Sequence, residues 1–592
     1  CMAFYPIFAS TYDTGEYAGS LFTTVATSLM FSWVLSQTIT PLMCITLLPD
    51  PKTAEGANSD PYGSPFYQRF RKLLAWAIDK RVLTTVSLVG LLVLSLAGFR
   101  FVPQMYFPDS SRTQFMIDYW LPQGTRIEQV ADDLRGMEAE LLQQNGVTGV
   151  SAFIGSGPPR FYLPVDPEDS YPSYGQLIVN TATLADVDTV MAHIDPWAQQ
   201  NRPHAMVRVR KYGVGAFDDW KLEARFSGPA EADPQVLRDI AAQALAILEA
   251  SPHALNPRTD WRQKVRKLVP EYNQERGRWA GVTRDDLASA TRRAFDGVPA
   301  GQYREGDDLI PIVVRNPETE RKLAAVELDV VQVIPSLSTD AVPVSQVIDG
   351  IDIRWEEQLI WRWDRRRAIS VQASPLGVTA PTLRNAILAD FEAIELPPGY
   401  TLEWDGEYDS SLQSTQALIP GLAPTVVVMT FVIVMLFNAF RPPIIIFVVI
   451  PFVAIGITFG LLITQVPFGF IALLGAMSLS GMMIKNSVVL LDQVNLNIAD
   501  GMDRYTAVIE AAVSRLRPVI NAAATTILGM APLLTDVFWV SMAVTIMFGL
   551  AFGTILTMVL VPVLYAMLFR LRPDSRQLSD TLASAATTGE TA

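Results

Sequence analysis

The sequence predicts an α+β membrane protein: a polytopic transmembrane helix bundle carrying a large extracytoplasmic region of two split βαββαβ (ferredoxin-like) subdomains with an inserted module. Three observations predict it. Seven mostly apolar runs reach the roughly 17 to 25 residues that a bilayer-spanning helix requires. Between the second and third of them, from Phe101 to Ser411, strand and helix patterns alternate in a polar stretch. The composition of the 592 residues, 50% hydrophobic yet 18% charged with mean hydropathy +0.24, is too charged for a wholly embedded chain and calls for two environments.

The full spans are Ser20 to Leu47, Val82 to Phe99, Leu418 to Phe437, Ile444 to Ile463, Phe468 to Leu491, Pro518 to Leu534 and Val540 to Phe569. Basic residues orient them. Arg69, Arg71, Lys72, Lys80 and Arg81 precede the second span, and Arg441 lies between the third and fourth. Arg504, Arg515 and Arg517 precede the sixth, and Arg570, Arg572 and Arg576 follow the last. Cations concentrate on the cytoplasmic side, whereas the opposite loops Thr464 to Pro467 and Thr535 to Trp539 carry only Asp536. The long polar segment therefore lies outside the cytoplasm.

In its first subdomain, strand Gln114 to Leu121 leads to a helix that the pair Thr125 and Glu128 marks as opened by a capping box, with Ile127, Val130, Leu134, Met137 and Leu141 on one face. Strands Thr148 to Ile154 and Tyr174 to Asn180 follow, then a helix capped by Thr183 with Asp186, then strand Ala205 to Lys211. The second subdomain begins with strand Trp220 to Phe226 and a helix started by Asp233 and Pro234. It resumes at strand Ala368 to Ala373, a helix from Pro381 bearing Leu383, Ile387, Phe391 and Ile394, and strand Thr401 to Trp404. The insertion near Gln263 to Leu359 has its own helix, capped by Thr283 with Asp286 and closed by Gly297, and its own strand Leu309 to Arg315.

The formal charge of -14 argues against nucleic-acid binding. Cys1 and Cys44 can build neither a disulfide framework nor a metal cluster, and His193, His204 and His253 are scattered without ligand spacing, as surface residues are. Lys485 stands out. It is the only charge in the run Phe468 to Leu491, where an ammonium costs roughly 2.5 to 3.5 kcal/mol and usually marks an ion or proton pathway. Snorkelling toward the interface six residues away is the alternative. Ser478 and Gly481 share its face and are small enough to admit a second helix, which favours a lysine pointing into a bundle.

A weak internal repeat relates the end of the first span, Thr40-Pro41-Leu42-Met43-Cys44-Ile45-Thr46-Leu47-Leu48, to the end of the last, Val561-Pro562-Val563-Leu564-Tyr565-Ala566-Met567-Leu568-Phe569. Met2 to Pro6 likewise matches Met530 to Pro532. Equal repeats predict that about 440 residues precede Cys1 and that the chain is a fragment.

Four motifs carry a family resemblance: Gly406-Glu407-Tyr408, Phe437-Asn438-Ala439-Phe440-Arg441-Pro442-Pro443, Gly481-Met482-Met483-Ile484-Lys485-Asn486 and Arg515-Leu516-Arg517-Pro518. Together they resemble the C-terminal half and more of a resistance-nodulation-division (RND) multidrug efflux permease of the hydrophobe/amphiphile-exporting branch, over nearly the whole chain. The resemblance implies proton-driven export from the bacterial inner membrane by a homotrimer, with a periplasmic membrane-fusion adaptor and an outer-membrane channel as partners. It implies a secondary active transporter rather than an enzyme, without cofactor or metal, and with protons as coupling ion, small amphipathic substrates and surrounding membrane lipids.

Carried onto this sequence, the resemblance makes Lys485 the relay lysine, paired in the family with two aspartates on a helix of the first repeat. Ser478, Gly481 and Asn486 then form the helix packing near the relay. Arg515 matches a second relay position, although a positive-inside flank explains it equally. Ala522 stands where a relay hydroxyl is usual, leaving Thr525 and Thr526, about a turn further, as the substitutes. Asp492, on the Lys485 face, reads as an interfacial carboxylate. The substrate path is expected along Phe153, Ile154, Arg160, Phe161 and Tyr162, on the Gly/Pro-rich link Gly155 to Leu163 and the strand before it. Alternatively Phe161 and Tyr162 cap a local core. The link has no methionine cluster, which weighs against copper or silver export.

The implied division is the end of the first transmembrane repeat (1–48), a cytoplasmic linker (49–81), the first helix of the second repeat (82–103) and porter subdomain 1 (104–214). Porter subdomain 2 (215–262 and 360–410) is interrupted by a docking insert (263–359), and five transmembrane helices (411–570) and a disordered tail (571–592) complete the chain. Two other functions remain open: a membrane-anchored scaffold or secretion accessory of the same architecture, and an inactive truncation product.

Overall fold

The computed structural model describes residues 1–47, 62–215, 220–317, 331–336 and 338–571. The proposed tail beyond 571 and the first part of the cytoplasmic linker lie outside the described residues. Among the described residues, seven helical segments are long and apolar enough to cross a membrane. The first is α1 (Ser20–Leu47). An amphipathic helix α2 (Pro65–Asp79) then turns at Lys80 into the second span, α3 (Arg81–Phe99).

The first ferredoxin-like subdomain follows as β1 (Gln114–Trp120), α4 (Ile127–Leu141), β2 (Val147–Ile154), β3 (Tyr174–Thr181), α5 (Leu184–Asn201) and β4 (Met206–Lys211). Its sheet has the order β2-β3-β1-β4, antiparallel throughout, as a split βαββαβ unit demands. Strand β1 is central and almost wholly buried, whereas β2 lies at the edge and is largely open. The predicted Thr183/Asp186 capping box forms at the start of α5. The one expected at Thr125 does not. A turn at Gln123 and Gly124, with Gly124 at φ +86°, delays the helix to Ile127, and the Thr125 hydroxyl donates to the Pro122 carbonyl at 2.6 Å.

The second subdomain opens with β5 (Leu222–Ser227), α6 (Pro234–Ala250) and β6 (Ala254–Thr259), with Asp233 accepting the Gln235 N–H as the cap of α6. The insert contributes β7 (Val265–Tyr272), α7 (Arg284–Phe295), β8 (Val298–Glu305), β9 (Asp308–Val314) and β10 (Ile348–Glu356). Its Thr283/Asp286 capping box forms as predicted, and Gly297 follows the helix at φ +93°. Residues Leu121–Ile127 and Trp261–Trp361 make up a separate compact unit, so the insert recruits a short piece of chain from before α4 and reaches two residues beyond the expected 263–359 at each end. The subdomain is completed by β11 (Arg366–Pro375), α8 (Ala380–Glu392) and β12 (Thr401–Gly406), with β5 pairing β11 on one side and β12 on the other, and β6 on the far edge of β11.

Strand β12 passes without a linker into the third span, α9 (Glu407–Phe437). Gly406 makes the junction at φ +68° and ψ -139°, and a Cβ there would lie 2.5 Å from the Trp220 carbonyl oxygen. Glu407 is buried and accepts the Tyr106 N–H at 2.6 Å, while the Tyr106 hydroxyl bonds Ser414 one helix turn or two further on. Gly406→Ala is therefore expected to cost about 1 to 3 kcal/mol of local stability, raising amide exchange across residues 401–412 about tenfold or more. Unchanged exchange there would refute the strained joint.

The remaining spans are α10 (Arg441–Val449) with α11 (Val453–Thr464), then α12 (Phe470–Ala499), α13 (Arg504–Met530) and α14 (Val540–Leu568). Pro451, which has no N–H to donate, divides α10 from α11 within one crossing. Helix α14 is the hub, with its Gly549 so close to Leu479 of α12 that a Cβ would meet that side chain at 2.2 Å. Helices α10 to α14 share one apolar core, and α1 has no buried residue.

Candidate functional site

Helix α12 presents two different faces. Leu479, Met483, Asn486, Leu490, Val494 and Asn497 recur at helical spacing and are buried against the bundle. Ser478, Gly481, Met482, Lys485, Val489 and Asp492 form the other stripe, on which Lys485 and Asp492 are exposed and the rest half-buried. Lys485 has no hydrogen-bond or ion-pair partner among the described residues. The lysine thus stands on the open face of the helix instead of pointing into the bundle that the chain itself builds. Packing energy decides this, because glycine contacts with α14 and the large apolar residues already occupy the opposite face.

Gly481 on that stripe faces the first residues of the chain, and an added Cβ would make ordinary contact with the Ala3 side chain at 3.6 Å. Beside it, Cys1, Met2, Ala3, Val428, Met429, Val432, Ile433, Gly481 and Ile484 line an apolar cavity of about 280 Å³ between the first residues, α9 and α12. Asn486, expected near the relay, is buried on the packed face.

Arg515 lies elsewhere. Its Nη2 donates to Gln493 Oε1 at 2.6 Å, Gln493 Nε2 to Asn497 Oδ1 at 2.7 Å, and Asn497 Nδ2 to the Ala507 carbonyl at 3.1 Å. This polar chain joins α12 to α13 two turns beyond Lys485, so Arg515 is tied to a neutral amide. The hydroxyls of Thr525 and Thr526 both donate back to the Ala522 carbonyl, at 3.0 and 2.9 Å, as threonines in apolar helices do. Gln493 and Asn497 escaped the sequence reading, although two amides four residues apart at the end of an apolar helix are a legible polar stripe.

The porter link divides its aromatic pair. Phe161 is 52% exposed, whereas the Tyr162 hydroxyl donates to the Gly213 carbonyl at 2.8 Å and its ring packs edge-on to buried Tyr212 with Arg112 4.6 Å from its centroid. Tyr162 is therefore half-buried in local packing, and Phe161, whose ring also meets Tyr212 edge-on at 6.1 Å, is the more open of the two. Arg160 pairs with Asp166 at 3.0 Å across the link. Ile154 is exposed and Phe153 half-buried on edge strand β2. A cavity of about 460 Å³ beside the link is lined by Tyr12, Asp13, Glu16, Tyr17, Arg160 and Leu163 among others.

A second charged centre was not anticipated. Asp118 on β1 is 1% exposed and lies in register with Gln176 on β3 and Arg208 on β4. It accepts from Tyr174 at 2.9 Å, Gln176 at 2.7 Å and Arg210 Nε at 2.7 Å. Burial alone would raise its pKa, but the Arg210 and Arg208 guanidiniums outweigh burial and hold the carboxyl below the usual value. On the same side, Arg208 lies 3.7 Å from the Trp220 ring, and Arg258 stacks between Trp220 and Trp120 at 4.4 and 4.6 Å. These contacts join the two porter sheets beside a cavity of about 200 Å³.

Residues 1–569 match the model of the AcrB/AcrD/AcrF family. The chain belongs to that family. The chain is similar to the Cobalt-zinc-cadmium resistance protein CzcA of Cupriavidus metallidurans, 23% identical over 97% of this chain and 55% of the relative. The Nickel-cobalt-cadmium resistance protein NccA of Alcaligenes xylosoxydans xylosoxydans is 24% identical over 96% of this chain and 54% of the relative. The chain thus spans a little over half the length of these relatives. A heavy metal efflux pump in two crystal forms has the same fold, with TM-scores of 0.73 and 0.75 at 17% and 16% identity over 96% of this chain and 57% of the other. The RND resemblance of the motifs and the α+β membrane architecture hold, and the family member is a multi-pass inner-membrane protein with a large periplasmic domain.

Proposed function

We propose that the chain is the porter and second transmembrane repeat of a proton-driven efflux permease, in which Lys485 is the movable cation. The observation that carries this reading is an unpartnered lysine on the open stripe of a helix whose other face is close-packed. With carboxylates of the other repeat ionised, the ammonium is held between them. Protonating one weakens that attraction, the lysine reorients, and the helices shift. Direct continuity of α9 with β12 then carries the shift into the second porter sheet. A homotrimer, a periplasmic adaptor and an outer-membrane channel complete the assembly in this reading. Arg515 serves as a positioning residue through Gln493, and the Thr525 and Thr526 hydroxyls, held on the Ala522 carbonyl of their own helix, stand as the relay hydroxyls of this reading.

For the substrate, exposed Phe161 and the absence of a candidate metal-binding cluster of His, Cys, Asp and Glu among the described residues favour small amphipathic compounds. The relatives' names favour the second reading, divalent cobalt, zinc, nickel or cadmium. Cells lacking their own pumps and expressing this one are expected to accumulate less of an amphipathic dye, with Phe161→Ala restoring accumulation severalfold. Protection against cobalt, zinc and cadmium salts without any change in dye level would establish the metal reading instead.

A further inference from the structure

Helix α2 connects the first span to the second on the cytoplasmic side and is clamped along one face. Arg71 makes a two-pronged ion pair with Glu510 of α13, at 2.8 and 2.7 Å, and Tyr505 donates to Asp79 at 3.2 Å. Leu74, Ala77 and Ile78 are buried against the bundle, and Arg81, at the start of α3, donates to the carbonyls of Ala566 in the last turn of α14 and of Leu571 just beyond it. The helix is therefore fixed against α13 and the C-terminal end of α14.

Its outer face is of a different character. Phe66, Leu73 and Trp76 are 62%, 50% and 53% exposed, at spacings of seven and three residues that place them on one side. Arg69, Lys72 and Lys80 are exposed on the same side, and none of the three side chains has an ion-pair or hydrogen-bond partner among the described residues. Aromatic and aliphatic side chains interleaved with unpaired cations are costly in water and complementary to a headgroup region, where rings sit at the acyl boundary and cations meet phosphate.

We propose that the outer face of α2 is a seat for anionic phospholipid headgroups of the cytoplasmic leaflet, with Trp76, Leu73 and Phe66 entering the acyl boundary and Arg69, Lys72 and Lys80 selecting negative charge. A break in the helix at Lys80 separates α2 from α3, and the Arg71–Glu510 clamp ties α2 to α13. The proposal is independent of what the pump exports.

The test uses the full chain in nanodiscs of phosphatidylcholine containing either brominated phosphatidylglycerol or brominated phosphatidylcholine. The quenching that Trp76→Phe removes reports this face alone. Quenching is expected to favour the anionic lipid, and the preference to collapse at high salt in the unaltered protein. In R69Q/K72Q/K80Q, lipid selectivity is expected to fall on the order of a hundredfold, about fivefold for each cation lost. Equal quenching by both lipids in the unaltered protein would overturn the charge selection. Absence of Trp76-dependent quenching by either would overturn the seat itself and indicate that protein covers the face.

Discussion

Replacing Lys485 with methionine is expected to reduce export to the level of cells without the pump, while the amount of protein in the membrane and its assembly stay unchanged. Methionine keeps the length and flexibility of the lysine stem and its helix propensity, so only the charge is lost. No partner is orphaned within this chain, because Lys485 contacts none of its described residues through a hydrogen bond or ion pair. Removing an ammonium from a membrane segment relieves a cost of roughly 2.5 to 3.5 kcal/mol on insertion scales, so a purely structural lysine would leave the variant as stable as before and as active. Wild-type export by Lys485→Met would therefore end the relay reading. Lys485→Arg, which keeps charge and changes shape, separates the two properties: partial export is expected from it.

The second large effect concerns the porter. Asp118→Asn is expected to cost about 3 to 5 kcal/mol locally, because it leaves Arg210, itself only 14% exposed, facing a neutral group inside the sheet. Amide protection in residues 114–120 and 206–211 should fall by about two to three orders of magnitude. Replacing both members, Asp118→Leu with Arg210→Leu, should cost less than the single change, since no lone charge then stays buried. Unaltered protection in the single variant would refute the load assigned to the pair. The pH dependence has a definite sign. The folded carboxyl titrates below its ordinary value, so its contribution is complete above pH of about 4 and is lost as pH falls through the lower folded value. Acid exposure below that range should loosen the first porter sheet in the parent and have little further effect on Asp118→Asn.

Much of the fold was legible because its signals are local. Seven apolar runs became spans since length and hydropathy alone select them, and the boxes at Thr183 and Thr283 formed because both partners lie within one turn. The strand order β2-β3-β1-β4 followed from the βαββαβ pattern itself. Thr125 misled because the positive φ of Gly124 made a turn there, a backbone property that the Thr-to-Glu spacing does not encode. The Asp118 centre was hidden for a different reason: Arg210 is 92 residues away, and only strand pairing brings it beside the carboxylate. Likewise Arg515 and Gln493 stand on separate helices and meet through packing. The suspicion attached to Lys485 came from chemistry that sequence does display, a charge among apolar residues. Its exposure depends on which face the glycine contacts with α14 claim, and that is a tertiary property.

The central claim is that protons and substrate move through one device whose movable charge is Lys485. Its most direct test is proton movement in proteoliposomes holding the assembled pump and an internal pH-sensitive dye, with a substrate gradient imposed. The parent is expected to change internal pH in step with substrate transport, and Lys485→Met at equal reconstituted amounts to give only the leak of protein-free vesicles. Substrate-dependent proton flux by Lys485→Met equal to that of the parent would contradict the account.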